Sequence, residues 1–154
     1  MKTVLETELR VLRAQGKTNI VLPFTLDGAA KELKITYAYA PKTAEDEAAK
    51  QLAENCLLRD AGEFRKEYPP AEAFLPLKNL ITLSLDDPNG YRGAAHRQAD
   101  RQVHIFTETE SPFGFSAGAL PAGNWRLVLN VHAVVTEYCD CRIKVEAEGA
   151  KTDA

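Results

Sequence analysis

The side chains best placed to do chemistry lie in one run, NLITLSLDDPNGYRGAAHR, from Asn79 to Arg97. Tyr91, Arg92, His96 and Arg97 follow a turn within seven residues, with Arg101 shortly after. Cationic donors grouped in this way bind a carboxylate, phosphate or sugar, or fix a partner surface. The competing reading is architectural, with Arg92 tying the turn to a carboxylate or loop carbonyl so that a long excursion stays ordered. Geometry has to decide between them, and the architectural reading is the one favoured here.

Other candidate chemistry is sparse. Asp86 and Asp87 place two carboxylates beside the turn, but the regular oxygen spacing of a calcium loop is missing. Asp87 as the turn's own hydrogen-bond acceptor explains it better. His96, His104 and His132 are scattered, and no H-x-H, H-E-x-x-H or paired C-x-x-C spacing occurs. Cys139 and Cys141 are two apart on an alternating segment and share its apolar side with Ile143 and Val145, so they read as core residues. Phosphate-loop, dinucleotide and nucleophile-elbow signatures are absent, and Ser116 between Gly114 and Gly118 is a loop residue.

The elements that must position these residues read mostly as strands. Leu5, Leu9 and Val11 share a parity opposite Glu6, Glu8 and Arg10. Ile20, Leu22 and Phe24 alternate next, interrupted by Pro23, which marks a short or edge strand. Leu33, Ile35, Tyr37 and Tyr39 follow. From Thr43 the period becomes helical over about 43–67, with Thr43 as cap, Asp46 three positions on and Ala48, Leu52 and Cys56 on one line. Gly62 breaks this segment, Pro69-Pro70 ends it, and Phe74 and Leu75 are expected anchors.

Strand patterning resumes at Ile81, Leu83 and Leu85. It turns at Asp87-Pro88-Asn89-Gly90, a type I pattern with Asp87 bonding its own backbone. Val103 and Ile105 mark a further strand. Trp125 to Val135 and Cys139 to Ala147 give the two clearest, and direct pairing would join them as a hairpin with Val135 opposite Cys139. About seven strands with one helical insertion predict a mostly β, antiparallel β-sandwich over 1–148, jelly-roll-like or Ig-like, with a tail at 149–154.

Composition narrows the function classes. The chain has 154 residues and a net charge of −3, which gives no basic footprint for nucleic acid or an anionic membrane. No window approaches a membrane span, the N-terminus carries no signal-like apolar run, and three cysteines argue against a disulfide framework; a cytoplasmic setting is expected. No cofactor is implied, and homo-oligomers are plausible through sheet edges.

NLITLSLDDPNGYRGAAHR, followed by SPFGFSAGALPAGNWRLVLNVHAV, together with the earlier LPFTLDGAAKELKITYAYAP, resembles an accessory β-sandwich domain. Such domains sit at the N-terminal side of CehA/McbA-like metallohydrolases of the PHP (polymerase and histidinol phosphatase) class. The most distinctive piece is Asp87-Pro88-x-Gly90-x-Arg92-Gly93 joined to His96-Arg97. LPAGNWRLVL is also similar to the closing strands of pre-peptidase C-terminal sandwiches. The resemblance implies a module beside a PHP-type enzyme whose metal-binding histidines belong to another domain, so it supplies no metal ligand here. A non-catalytic accessory or binding module is therefore expected. The rival readings are a carbohydrate-binding module using Tyr91, Phe113 and Phe115, and a small metal-assisted hydrolase using His96, His104 and Asp86 or Asp87.

Overall fold

Two antiparallel four-stranded sheets face each other across a core of alternating apolar residues in a computed structural model that describes residues 1–149. The strands are β1 (Lys2–Leu12), β2 (Thr18–Leu26), β3 (Ala30–Ala40), the short β4 (Thr43–Ala44) and β5 (Leu77–Lys78), β6 (Leu80–Asp87), β7 (Gly90–Ala95), β8 (Arg101–Thr107), β9 (Gly123–Ala133) and β10 (Tyr138–Gly149). One sheet runs β1-β10-β3-β8, the other β2-β9-β6-β7. With the two-residue strands set aside, the order of the eight long strands is 1-8-3-6 facing 2-7-4-5, the jelly-roll arrangement in which successive strands exchange between sheets except at the hairpin of the fourth and fifth. Gly149 is the last residue of β10; the rest of the expected tail, 150–154, lies outside the described residues.

This topology corrects the expected final hairpin. β9 pairs with β2 and β6, while β10 pairs with β1 and β3 in the opposite sheet, so Val135 does not face Cys139 across a ladder. Both strands are apolar on one face only, and placing those faces against each other across the core buries more surface than laying them side by side. Trp125, Leu127, Leu129 and Val131 from β9 meet Cys139, Cys141, Ile143 and Val145 from β10 in that core. Phe24 stacks on Trp125 with ring centroids 5.9 Å apart. Pro23 lies on β2, an edge strand, as a residue without an N–H requires. The Cys141 thiol is pushed up by its hydrogen bond with Cys139 and by burial, which keeps it an inert core group.

The insertion between β4 and β5 is an α-helix, α1 (Glu47–Ala61), followed by 3-10 turns at Gly62–Glu67 and Ala71–Phe74. Its cap is Asp46, whose carboxylate accepts the Ala49 N–H at 2.9 Å. Thr43 does not cap the helix because it pairs with Lys78 in β4–β5. Gly62 ends α1 at φ +53°, a conformation that favours glycine. The helix seats itself by Ala49 and Ala53, small residues that allow close approach, while Leu52 and Cys56 are only half-buried. Phe74, expected as an anchor, is 41% exposed; Ala71 takes the buried position.

A neck joins insertion and sandwich, and Asn79 holds it. Its side chain is fully buried, donates to the Pro41 carbonyl at 2.8 Å and the Thr136 hydroxyl at 2.9 Å, and accepts the Val135 N–H at 2.6 Å. Two separate segments, at Pro41 and at Val135-Thr136, thereby converge on one amide. Replacing Asn79 with Ala leaves the half-buried Val135 N–H without its partner and the Pro41 carbonyl with only the Cys139 thiol, and a loss of about 2 kcal/mol in urea-denaturation stability is expected.

Candidate functional site

The Arg/His loop is built on the β6–β7 hairpin. Asp87 Oδ1 accepts the Asn89 and Gly90 N–H groups at 2.6 and 2.9 Å, closing the turn as the sequence predicts. Leu85 is opposite Gly93 and Asp86 opposite Tyr91, so Arg92 is the extra residue of a β-bulge. Bulges re-aim side chains. This one sends Arg92 into the end of the sandwich, where the guanidinium lies 5.8 Å from the Trp125 ring, while Tyr91 stays outside, 69% exposed.

Arg92 and Asp87 are 8% and 9% exposed and pair at 3.0 Å. The rest of the guanidinium donates to three main-chain carbonyls: Ser116 at 3.0 Å, Ala119 at 2.8 Å and Gly118 at 3.3 Å. The planar fork thus anchors residues 112–119 as a strap along the outer edge of β7. Main-chain bonds complete the seam, from the Ala94 N–H to Gly114 and from the Ser116 N–H to Arg92. The approach is so close that a Cβ on Gly93 would stand 2.2 Å from the Gly114 carbonyl, and one on Gly114 2.2 Å from that of Ala94. Glycine is required at both places.

The strap delivers Phe115 to the opening between the sheets, with its ring centroid 5.0 Å from Phe106 and 5.6 Å from His104. His104 is fully buried on β8, whose inward residues are Gln102, His104 and Phe106. The apolar Val103 and Ile105 point outward, so β8 has the phase opposite to the one its apolar residues suggest. Gln102 donates to the Ala99 carbonyl at 2.7 Å, which leaves its oxygen, 2.8 Å away, to accept from His104 Nε2. Nδ1 then has no partner. Burial, and secondarily the charge of Arg97, push the His104 pKa down to about 4.

The remaining candidates do not converge on one point. His96 and Arg97 are exposed at the end of β7. Asp86 pairs with Arg126 at 3.1 Å, and exposed His132 meets the Thr82 hydroxyl at 2.8 Å. His96, His104 and the two aspartates do not assemble as a metal-assisted hydrolase would need: His104 is bound to Gln102, and Asp87 to Arg92 and its own turn. Among the described residues no group of three or more His, Cys, Asp or Glu side chains gathers to hold a metal.

Two of the surface hollows border exposed aromatic rings. Tyr91 borders a shallow one of about 580 Å³, with Asp86, Asn89, Asn124 and Arg126 also lining it. Asn124 and Arg126 were legible as a pair, since residues two apart on a strand share a face. The other, of about 350 Å³, lies between α1 and the neck, lined by Leu52, Cys56, Leu57, Tyr68, Phe74, Leu77 and Val135 among others. Sequence reading missed it because it arises only where α1, the 3-10 turns and the β9–β10 crossover meet. No family model matches the chain, and no curated protein matches it. Among the described residues no helix is long and apolar enough to cross a membrane.

Three outcomes are expected. Arg92→Ala leaves a buried Asp87 carboxylate uncompensated and frees the strap; a loss of about 3–5 kcal/mol in chemical denaturation is expected. Arg92→Lys keeps the charge but not the fork and should recover only part of that loss. For His104 the sign follows from its depressed pKa. Between the ordinary 6.5 and about 4 the unfolded chain takes up a proton that the folded chain refuses. Its contribution to stability is therefore complete above pH 6.5 and is lost as pH falls toward 4. Thermal melts across that interval should show a shallower acid limb for His104→Leu than for the wild type.

Proposed function

We propose that the chain is a non-catalytic β-sandwich accessory or binding module that engages a protein partner through the apolar surface of its helical insertion. The observation that carries this reading is the exposure of four large apolar side chains there. Leu58, Phe64, Tyr68 and Phe74 are 52%, 55%, 51% and 41% exposed, and Tyr68 and Phe74 border the hollow of about 350 Å³. Grouped apolar exposure of this kind marks interaction sites. Asp46 capping, the β4–β5 pair and the Asn79 junction present this surface on a fixed neck, which lowers the ordering cost of binding.

The resemblance to domains that accompany CehA/McbA-like enzymes suggests a PHP-type metallohydrolase as partner. Arg92, part of the most distinctive piece of that resemblance, holds the strap, so this part of the motif serves the scaffold. Co-elution of the chain with a CehA/McbA-like catalytic domain in size-exclusion chromatography is expected. The double substitution Phe64→Asp with Phe74→Asp should abolish it while leaving the fold intact by circular dichroism. Metal-dependent ester or phosphoester hydrolysis by the purified chain alone would count decisively against the proposal.

A second reading, carbohydrate binding, rests on Tyr91. Its exposed ring stands among Asn89, Asn124, Arg126 and Asp86, a platform with hydrogen-bonding groups at its rim. Phe113 is 91% exposed and available, whereas Phe115 is occupied against Phe106 and His104. Glycan-array binding that disappears in Tyr91→Ala would select this reading over the first.

A further inference from the structure

A sandwich of two open sheets has four edge strands, and each presents unpaired main-chain groups unless something blocks it. Here those strands are β1, β8, β2 and β7. β1 carries a bulge between Thr3 and Leu5 and a charged row of Glu6, Glu8 and Arg10. β2 carries Pro23, and β7 is covered by the strap. β8 has none of these devices.

The Tyr39 N–H bonds to the Asp100 carbonyl, and the β3–β8 register continues without a shift. Residues 102, 104 and 106 therefore face β3 in the ladder, and the N–H and C=O groups of Val103 and Ile105 point away from it. Among the described residues no other segment bonds to those groups. Their side chains are apolar and 53% and 47% exposed.

We propose that β8 is a self-association edge, pairing antiparallel with β8 of a second copy about a two-fold axis near His104. In that register Val103 of each copy lies opposite Ile105 of the other, and the two exchange both main-chain hydrogen bonds. The outer face gains two Val–Ile cross-strand contacts, and the β1-β10-β3-β8 sheets join into one. Charge selects the second copy as the occupant. Exposed Arg97 and Arg101 precede or begin the strand, and exposed Glu108 and Glu110 follow its end. A two-fold axis sets each basic end against the other's acidic end.

Sedimentation equilibrium on the full chain over a range of concentrations tests this. The wild type should reach a dimer at high micromolar concentration. Ile105→Pro removes an N–H that takes no part in the β3 ladder, so it should yield a folded monomer. Arg101→Glu should weaken the dimer about tenfold, and adding Glu108→Arg should restore it. If Ile105→Pro fails to fold, the outward-facing pair Val103→Lys with Ile105→Lys takes its place with the same expected result. A wild type that stays monomeric throughout, including one that accepts a foreign strand at this edge, overturns the proposal. So does a dimer that these substitutions leave unchanged.

Discussion

The buried pair between Arg92 and Asp87 is the constraint on which this end of the molecule depends. Asp87 closes the β6–β7 turn with one oxygen and holds Arg92 with the other. Arg92 in turn gathers the Ser116, Gly118 and Ala119 carbonyls. Neither charge could sit in this position alone, because an unpaired buried ion is strongly destabilising. The strap they hold covers the β7 edge and brings Phe115 against Phe106 and His104, closing the sandwich where β7 and β8 would otherwise part. A β-bulge, two glycines in close contact and one ion pair together convert a loop rich in apparent chemistry into a structural seam.

On the proposed reading, function lies at surfaces that the fold leaves unfinished. The insertion holds apolar side chains in solvent on a neck secured by Asn79. The β8 edge offers main-chain groups beside two exposed aliphatic residues, and the Tyr91 hollow offers an aromatic ring among polar neighbours. Each of the three, as proposed, serves recognition. The insertion and the β8 edge concern different elements, so a partner on the neck and a second copy at the edge need not compete.

Strand existence was largely legible in the sequence, because period-two alternation survives wherever one face meets the core. Leu33 to Tyr39, Ile81 to Leu85, Trp125 to Val131 and Cys139 to Ala147 all bury the predicted side. Pairing was less legible: the same alternation fits a hairpin or a crossover between sheets, and only the full set of apolar faces separates them. β8 misled because Val103 and Ile105 are its aliphatic residues while Gln102 and His104 face inward, bonded to each other and, through Gln102, to the Ala99 carbonyl. The architectural role of Arg92 was readable from its place after an Asp-Pro-x-Gly turn. Its partners Ser116, Gly118 and Ala119 were not, since main-chain acceptors carry no sequence signature.

Native-state hydrogen exchange at the Ser116 and Ala94 amides tests the structural role of the Arg92 loop most directly. These two N–H groups form the seam between the strap and β7, and Ser116 is otherwise exposed. If the loop is architecture, both should exchange in the wild type as slowly as the β6 and β9 ladder amides. Exchange as rapid as that of the exposed residues around Glu108 would contradict it, and would favour the rival reading in which the Arg/His loop binds a ligand or partner.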